Sequence, residues 1–136
     1  MTERAAAGQA ADRDAIEALL EQYFDALHHC DSRRLSEVLH PQALYATASD
    51  GGLLTMAMDA YWKVIDARRS AASQGFPRRE HVQAIELVGG DTALARVQCI
   101  SPPKHFDDVL SLLKLDGRWW IIAKVFHYDL VPPEGA

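Results

Sequence analysis

Apolar residues early in the chain recur at helical spacing. Ile16, Leu19, Leu20, Tyr23, Phe24 and Leu27 fall on one face of a helix that starts near Asp12, its expected N-cap. Asp31 or Ser32 then caps a second, short helix with Leu35, Val38 and Leu39 inward. Pro41 stops it and pushes His40 toward an extended conformation. Residues 43–49 read as a strand, Asp50-Gly51-Gly52 as a turn and 53–55 as a short extended piece. A third helix is expected over 57–73, with Met58, Tyr61, Trp62 and Ile65 as its apolar stripe and Gly75 and Pro77 at its end. Strands follow over 79–88 and 92–101, joined by Gly89-Gly90-Asp91, and Pro102-Pro103 is expected to interrupt pairing. The densest pattern closes the chain. Residues 107–115 and 118–129 read as two strands folded back at Asp116-Gly117, the strongest short-range hairpin signal.

This order predicts an α+β domain, with three helices packed on one face of a strongly curved, mostly antiparallel sheet. Residues 1–11 lack periodicity and are expected to form a disordered tail. One domain then spans 12–130, and 131–136 form a second tail.

The closing hairpin has a register to choose. A two-residue turn would put one of its lysines, Lys114 and Lys124, on each face. A three-residue turn with a bulge keeps both on one face. In that register the odd positions Val109, Ser111, Trp119, Ile121, Val125 and His127 face the helices, with Asp107 beside His127. The even face then exposes Leu110, Leu112, Trp120, Ile122 and Phe126, a patch that soluble monomers seldom leave bare. A homodimer through that face is the expectation.

Charge and cysteine content narrow the function. The 136 residues carry a formal net charge of -5, which argues against nucleic-acid or anionic-membrane binding. No apolar run is long enough to span a bilayer, and the start of the chain has no signal-peptide pattern. Cys30 and Cys99 do not make a disulfide framework and read as reduced thiols in a cytoplasmic protein.

Tyr23-Phe24-Asp25-Ala26-Leu27, Asp31 through His40-Pro41, and the run DVLSLLKLDGRWWIIAKVFH from Asp108 to His127 carry a resemblance. The chain resembles the nuclear-transport-factor-2-like superfamily, closest to its small bacterial "putative lumazine-binding" branch. The resemblance implies a cone of helices and bent sheet that encloses a pocket. Similar superfamily enzymes, the ketosteroid isomerases, use a tyrosine where Tyr23 stands, together with two acids. By motif alignment those acid positions fall on Thr47 and Ser111, and neither supplies a carboxylate.

Asp107 and His127 form the sharpest polar pair, because a carboxylate beside an imidazole sets its tautomer and raises its basicity. Tyr23, Tyr45, Thr47, Trp62, Cys99, Ser111 and His127 are the candidate ligand-lining residues. His28-His29-Cys30 are consecutive on a helix and do not face one another, so no metal site is expected, nor any cofactor. Three readings follow. One is a cone that binds a small apolar or aromatic molecule. Another is a cofactor-free isomerase, dehydratase or hydrolase using Asp107 and His127 with Tyr23. The third is a structural or partner-binding module with a filled cone.

Overall fold

The Ala-rich stretch ahead of Asp12 has no apolar stripe, yet it is helical. In the computed structural model, which describes residues 3–131, the first helix α1 runs from Glu3 to His28. Ala has the lowest intrinsic cost of any residue in a helix, and residues 6–11, all exposed, use that propensity without burial. The expected tail over 1–11 is therefore helix from Glu3 onward. Residues 1–2 and 132–136, expected as tails, lie outside the described residues.

Asp31 is the N-cap of α2 (Ser32–Leu35), and its carboxylate accepts from the Arg34 amide at 3.2 Å. Leu39 does not extend that helix. It opens strand β1 (Leu39–Thr47), which runs through Pro41 where the pairing register shifts. A short β2 (Leu54–Met56) precedes α3 (Met58–Ala67). That helix ends six residues sooner than the spacing predicts (67 against 73). Beyond Ile65 its residues are mostly charged and exposed, so further turns would bury nothing, and Arg68 turns extended. One 3-10 turn, Ala72–Gln74, leads to β3 (Glu80–Val88), β4 (Thr92–Ser101), β5 (Lys104–Leu115) and β6 (Arg118–Leu130).

The six strands make one sheet in the order β2-β1-β6-β5-β4-β3. β3 to β6 are the antiparallel meander, and β1 joins β6 in parallel. Pro102-Pro103 does not interrupt pairing. It is the turn itself, since Ser101 already faces Lys104.

The closing hairpin departs from the expected register. Leu115 pairs with Arg118, so the turn holds two residues, Asp116 and Gly117, at φ 50 and 77. Two successive positive φ values suit the strand twist, and Asp-Gly tolerates them best. The bulge lies further along: Leu112 faces Ile121 and Ser111 faces Ala123, which leaves Ile122 as the extra residue of β6. The inward row changes parity there. Trp119 and Ile121 face the helices before the bulge, Lys124 and Phe126 after it. On β5 the inward residues are Asp108, Leu110 and Leu112.

Both lysines therefore share the helix side, as the register argument required, but the faces are exchanged on β5 and beyond the bulge, while Trp119 and Ile121 lie inward as expected. Leu110, Leu112 and Phe126, expected on a dimer face, belong to the core of the single chain. Val109, Ser111, Val125 and His127, expected inside, lie on the outer face, where Trp120 also stands against the Arg118 guanidinium at 3.8 Å. The core fills the space between that concave face and α1 to α3, with Ile16, Leu20, Tyr23, Tyr61 and Ile65 fully buried.

Candidate functional site

Inside this cone the sheet buries two charged side chains. Asp108 of β5 and Lys124 of β6 are 2% and 5% exposed. They face inward because β5 places its even positions against the helices and the Ile122 bulge brings β6 into the same parity. Burying such groups costs several kcal/mol each unless partners compensate.

The helices supply partial compensation. Tyr23 of α1 donates its hydroxyl hydrogen to Asp108 Oδ2 at 2.7 Å. The second carboxylate oxygen, Oδ1, is buried and has no hydrogen-bond partner. The Lys124 ammonium reaches the Tyr61 hydroxyl of α3 at 3.4 Å. It also lies 5.2, 5.6 and 5.3 Å from the ring centres of Tyr23, Tyr61 and Phe126, within cation–π range. Tyr45 packs on Tyr61 with centroids 4.6 Å apart.

The electrostatics follow from that packing. Burial, then the Asp108 charge, holds the Tyr23 phenol well above its ordinary range. Burial pushes the Cys99 thiol up to about 12. For Lys124 burial works against the charge, but Tyr61, Asp108, Cys99 and Tyr45 together outweigh it and the pKa rises. At neutral pH Lys124 is therefore a hydrogen-bonding cation and not a free amine. Tyr23 stays a neutral phenol that can donate.

A cavity of about 30 Å³, room for one or two water-sized molecules, adjoins Lys124. Tyr45, Tyr61, Cys99, Phe106 and Phe126 line it, and Leu27, Ser101 and Arg68 complete its wall.

Of the residues singled out from sequence, Tyr23, Tyr45 and Cys99 meet in this interior. Thr47 is buried nearby, but its hydroxyl is committed to the Phe126 carbonyl at 2.7 Å. Trp62 packs beside Tyr61, partly buried, at 5.8 Å between ring centres. Ser111 is exposed on the outer face. Asp107 and His127 do face each other across the hairpin, but on the outer side, and they do not converge with Tyr23. Asp107 accepts from Gln98 at 2.7 Å, while His127 bridges Ser49 and Asp129 at 3.0 Å each. The His127 and Asp129 side chains are 61% and 68% exposed, so water competes for those bonds. Asp107 and His127 border a broad outer groove of about 770 Å³ that includes Arg96, Val109 and Val125.

Asp108 and Lys124 were missed because the assumed parity sent both outward. The inward carboxylate of β5 is Asp108, three residues before Ser111. Among the described residues no group of three or more His, Cys, Asp or Glu could hold a metal ion.

A buried acid, a buried cation and a tyrosine between helices and a curved sheet invite comparison with known proteins. The sequence profile of the family described as "putative lumazine-binding" matches residues 11–127. The chain belongs to this family. An aldolase, FrzH, of a Cladobotryum species is 26% identical over 116 residues, covering 84% of this chain and 89% of that protein. A nuclear-transport-factor-2-like protein of unknown function from Silicibacter pomeroyi superposes with a TM-score of 0.78 at 24% identity, covering 89% of this chain and 98% of that one. Another of unknown function, from Methylobacillus flagellatus, gives 0.77 at 26%, covering 88% and 93%. The nuclear-transport-factor-2-like fold is thereby established for this member of the family.

Proposed function

We propose that the chain is a cofactor-free enzyme that binds a small carbonyl compound in the cone and moves a proton at the carbon beside the carbonyl. The observation that carries this is Asp108 Oδ1, a buried carboxylate oxygen without a partner. Tyr23 occupies Oδ2 and leaves Oδ1 for a substrate C–H. As Asp108 takes the proton, the C–H electrons move into the carbon–carbon bond and the carbonyl oxygen becomes an enolate. Lys124 and the Tyr61 hydroxyl are placed to hydrogen-bond that oxygen. A buried cation whose pKa is shifted by its neighbours is a candidate for a functional site. Aldol bond making and breaking passes through the same enolate, which is the chemistry the Cladobotryum relative's name indicates. Neither metal nor cofactor is needed for it.

The test is hydrogen–deuterium exchange at the α-carbon of simple ketones and aldehydes in D2O, followed by NMR. The wild type should exceed the buffer rate, and Asp108→Asn should lose about 10²–10⁴-fold, the usual contribution of a general base. Equal rates for the two would sink the reading. The small cavity favours one other reading, a filled cone that serves structure or a partner. In that case no carbonyl compound raises the melting temperature.

We also propose a cytoplasmic homodimer. The cysteines are both unpaired, as a reducing compartment would leave them. The dimer face is the outer sheet surface, now composed of Val109, Val125 and Trp120. No described helix is long and apolar enough to cross a membrane.

A further inference from the structure

We propose a second active site on the outer face of the sheet: a Ser49–His127–Asp129 relay that cleaves carboxylic esters with a small apolar acyl group. It does not rest on the reading of the cone, since His127 stands on the opposite face of β6 from Lys124 and Phe126. His127 and Asp129 continue the outer row of β6 beyond Val125, on the side away from Trp120.

The geometry gives each atom a role. Asp129 Oδ1 lies 3.0 Å from His127 Nε2, and a carboxylate only accepts, so Nε2 carries the hydrogen. In the neutral ring Nδ1 is then the bare nitrogen, 3.0 Å from Ser49 Oγ. The Tyr128 amide donates to that Oγ at 3.1 Å, which leaves the hydroxyl hydrogen for Nδ1. Nucleophile, base and orienting carboxylate each stand within hydrogen-bond reach of the next, a constellation defined by roles and not by chain position.

Ser49 is held in place. Its amide donates to Thr47 Oγ1 at 3.1 Å, and the Thr47 hydroxyl donates to the Phe126 carbonyl at 2.7 Å. The next residue, Asp50, accepts from the Tyr128 hydroxyl. The chain is thus fastened to β6 on both sides of the serine, and His127 lies between the two β6 residues that hold it. His127 and Asp129 are more than half exposed, so water competes for their contact and is also at hand to hydrolyse an acyl intermediate. Ser49 and His127 line the outer groove, with Ala46, Ala48 and Leu53 beside them. Leu53 is 81% exposed and offers apolar contact to the acyl group. In the turn after Ser49, the Asp50 and Gly52 amides have no acceptor among the described residues, and such donors stabilise charge on an acyl oxygen.

In the first step Ser49 Oγ bonds to the acyl carbon as its proton passes to Nδ1. The bond from that carbon to the alcohol oxygen then breaks, and the alcohol leaves with the proton from Nδ1. Water repeats the sequence on the acyl-serine. Its proton goes to Nδ1, the bond to Oγ breaks, and Oγ takes the proton back as the carboxylic acid leaves.

The experiment follows hydrolysis of p-nitrophenyl butyrate, and separately the labelling of the protein by diisopropyl fluorophosphate, with the adduct located by peptide mass spectrometry. The wild type should exceed the buffer rate and carry the adduct on Ser49. Ser49→Ala and His127→Gln should each lose about 10²-fold or more. The double variant should lose no more than either alone, because the two act as a unit. Asp129 is a positioning residue, so Asp129→Asn should lower kcat with KM unchanged, and Asp129→Glu should restore part of it. Melting temperatures show whether the variants fold. If Ser49→Ala does not, the adduct on the wild type and the rate of His127→Gln decide. A wild type no faster than buffer, a folded Ser49→Ala as fast as wild type, or an adduct absent from Ser49 would overturn the inference. Ester cleavage and α-carbon exchange are separate readouts on opposite faces of the sheet, so either reading can fail while the other stands.

Discussion

Lys124 and Asp108 each weaken the fold where they stand, and each is tolerated because the other is near. Removing one leaves an uncompensated buried charge. Lys124→Met should therefore destabilise the protein by about 3–5 kcal/mol. Combining it with Asp108→Asn should cost clearly less than the sum of the two single changes, because the pair is coupled. Urea denaturation of the four proteins measures this, and additive losses would mean that the two charges do not sense each other. At this scale the sequence was legible in one respect and misleading in another. Tyr23 could be placed because helical spacing fixes which face it shares with Ile16, Leu19 and Leu20. Asp108 and Lys124 could not, because strand alternation gives only parity, and a lysine on a strand is expected to face water.

Helix α1 is tied to the far end of the hairpin by one acid. Asp12 accepts from Lys114 Nζ at 3.0 Å and from the Trp119 indole at 3.2 Å. The Lys114 hydrogen bond lowers its pKa below the usual 3.8. Because the folded value is the depressed one, this contact stabilises above the unfolded carboxylate range and is lost as pH falls through the folded pKa. Melting temperatures of wild type and Asp12→Asn should differ most at neutral pH and converge as the pH drops below 3.8. A gap that stays constant down to pH 2 would show that Asp12 acts through packing alone. Most elements could be read from periodicity and turn residues, including the meander and the Asp31 cap. What could not be read was where a propensity acts without a pattern, as in the Ala-rich start of α1, or where a pattern stops for lack of anything to bury, as after Ile65.

For the whole molecule, the helices cover one face of the sheet and leave the other bare. Val109 and Val125 stand side by side on that bare face, 42% and 47% exposed, in the cross-strand row that continues to Arg96. Self-association through this face predicts the mass of two chains in sedimentation equilibrium at micromolar concentration. Val109→Glu with Val125→Glu should return it to one chain without lowering the monomer's melting temperature, since neither residue is in the core. A wild-type mass of one chain would end this reading. The overall architecture was readable early because the order of elements along the chain limits how a sheet and helices can stack. Which face meets which layer was not readable, because that choice depends on one unpaired residue.

That unpaired residue, Ile122, has a meaning for how such a gene can vary. It advances the chain without advancing its partner strand, so it is a spare position. Loss of its codon would leave Ala123 opposite Ser111 and every later side chain facing as before. Loss of the Val125 codon instead would turn Phe126 outward and His127 inward, because downstream there is no slack to absorb it. In a scan of single-codon deletions along β6, Ile122 should be a position where protease resistance survives, and Val125 one where it does not. The residue that made the hairpin hardest to read is thus the one at which its length is least constrained.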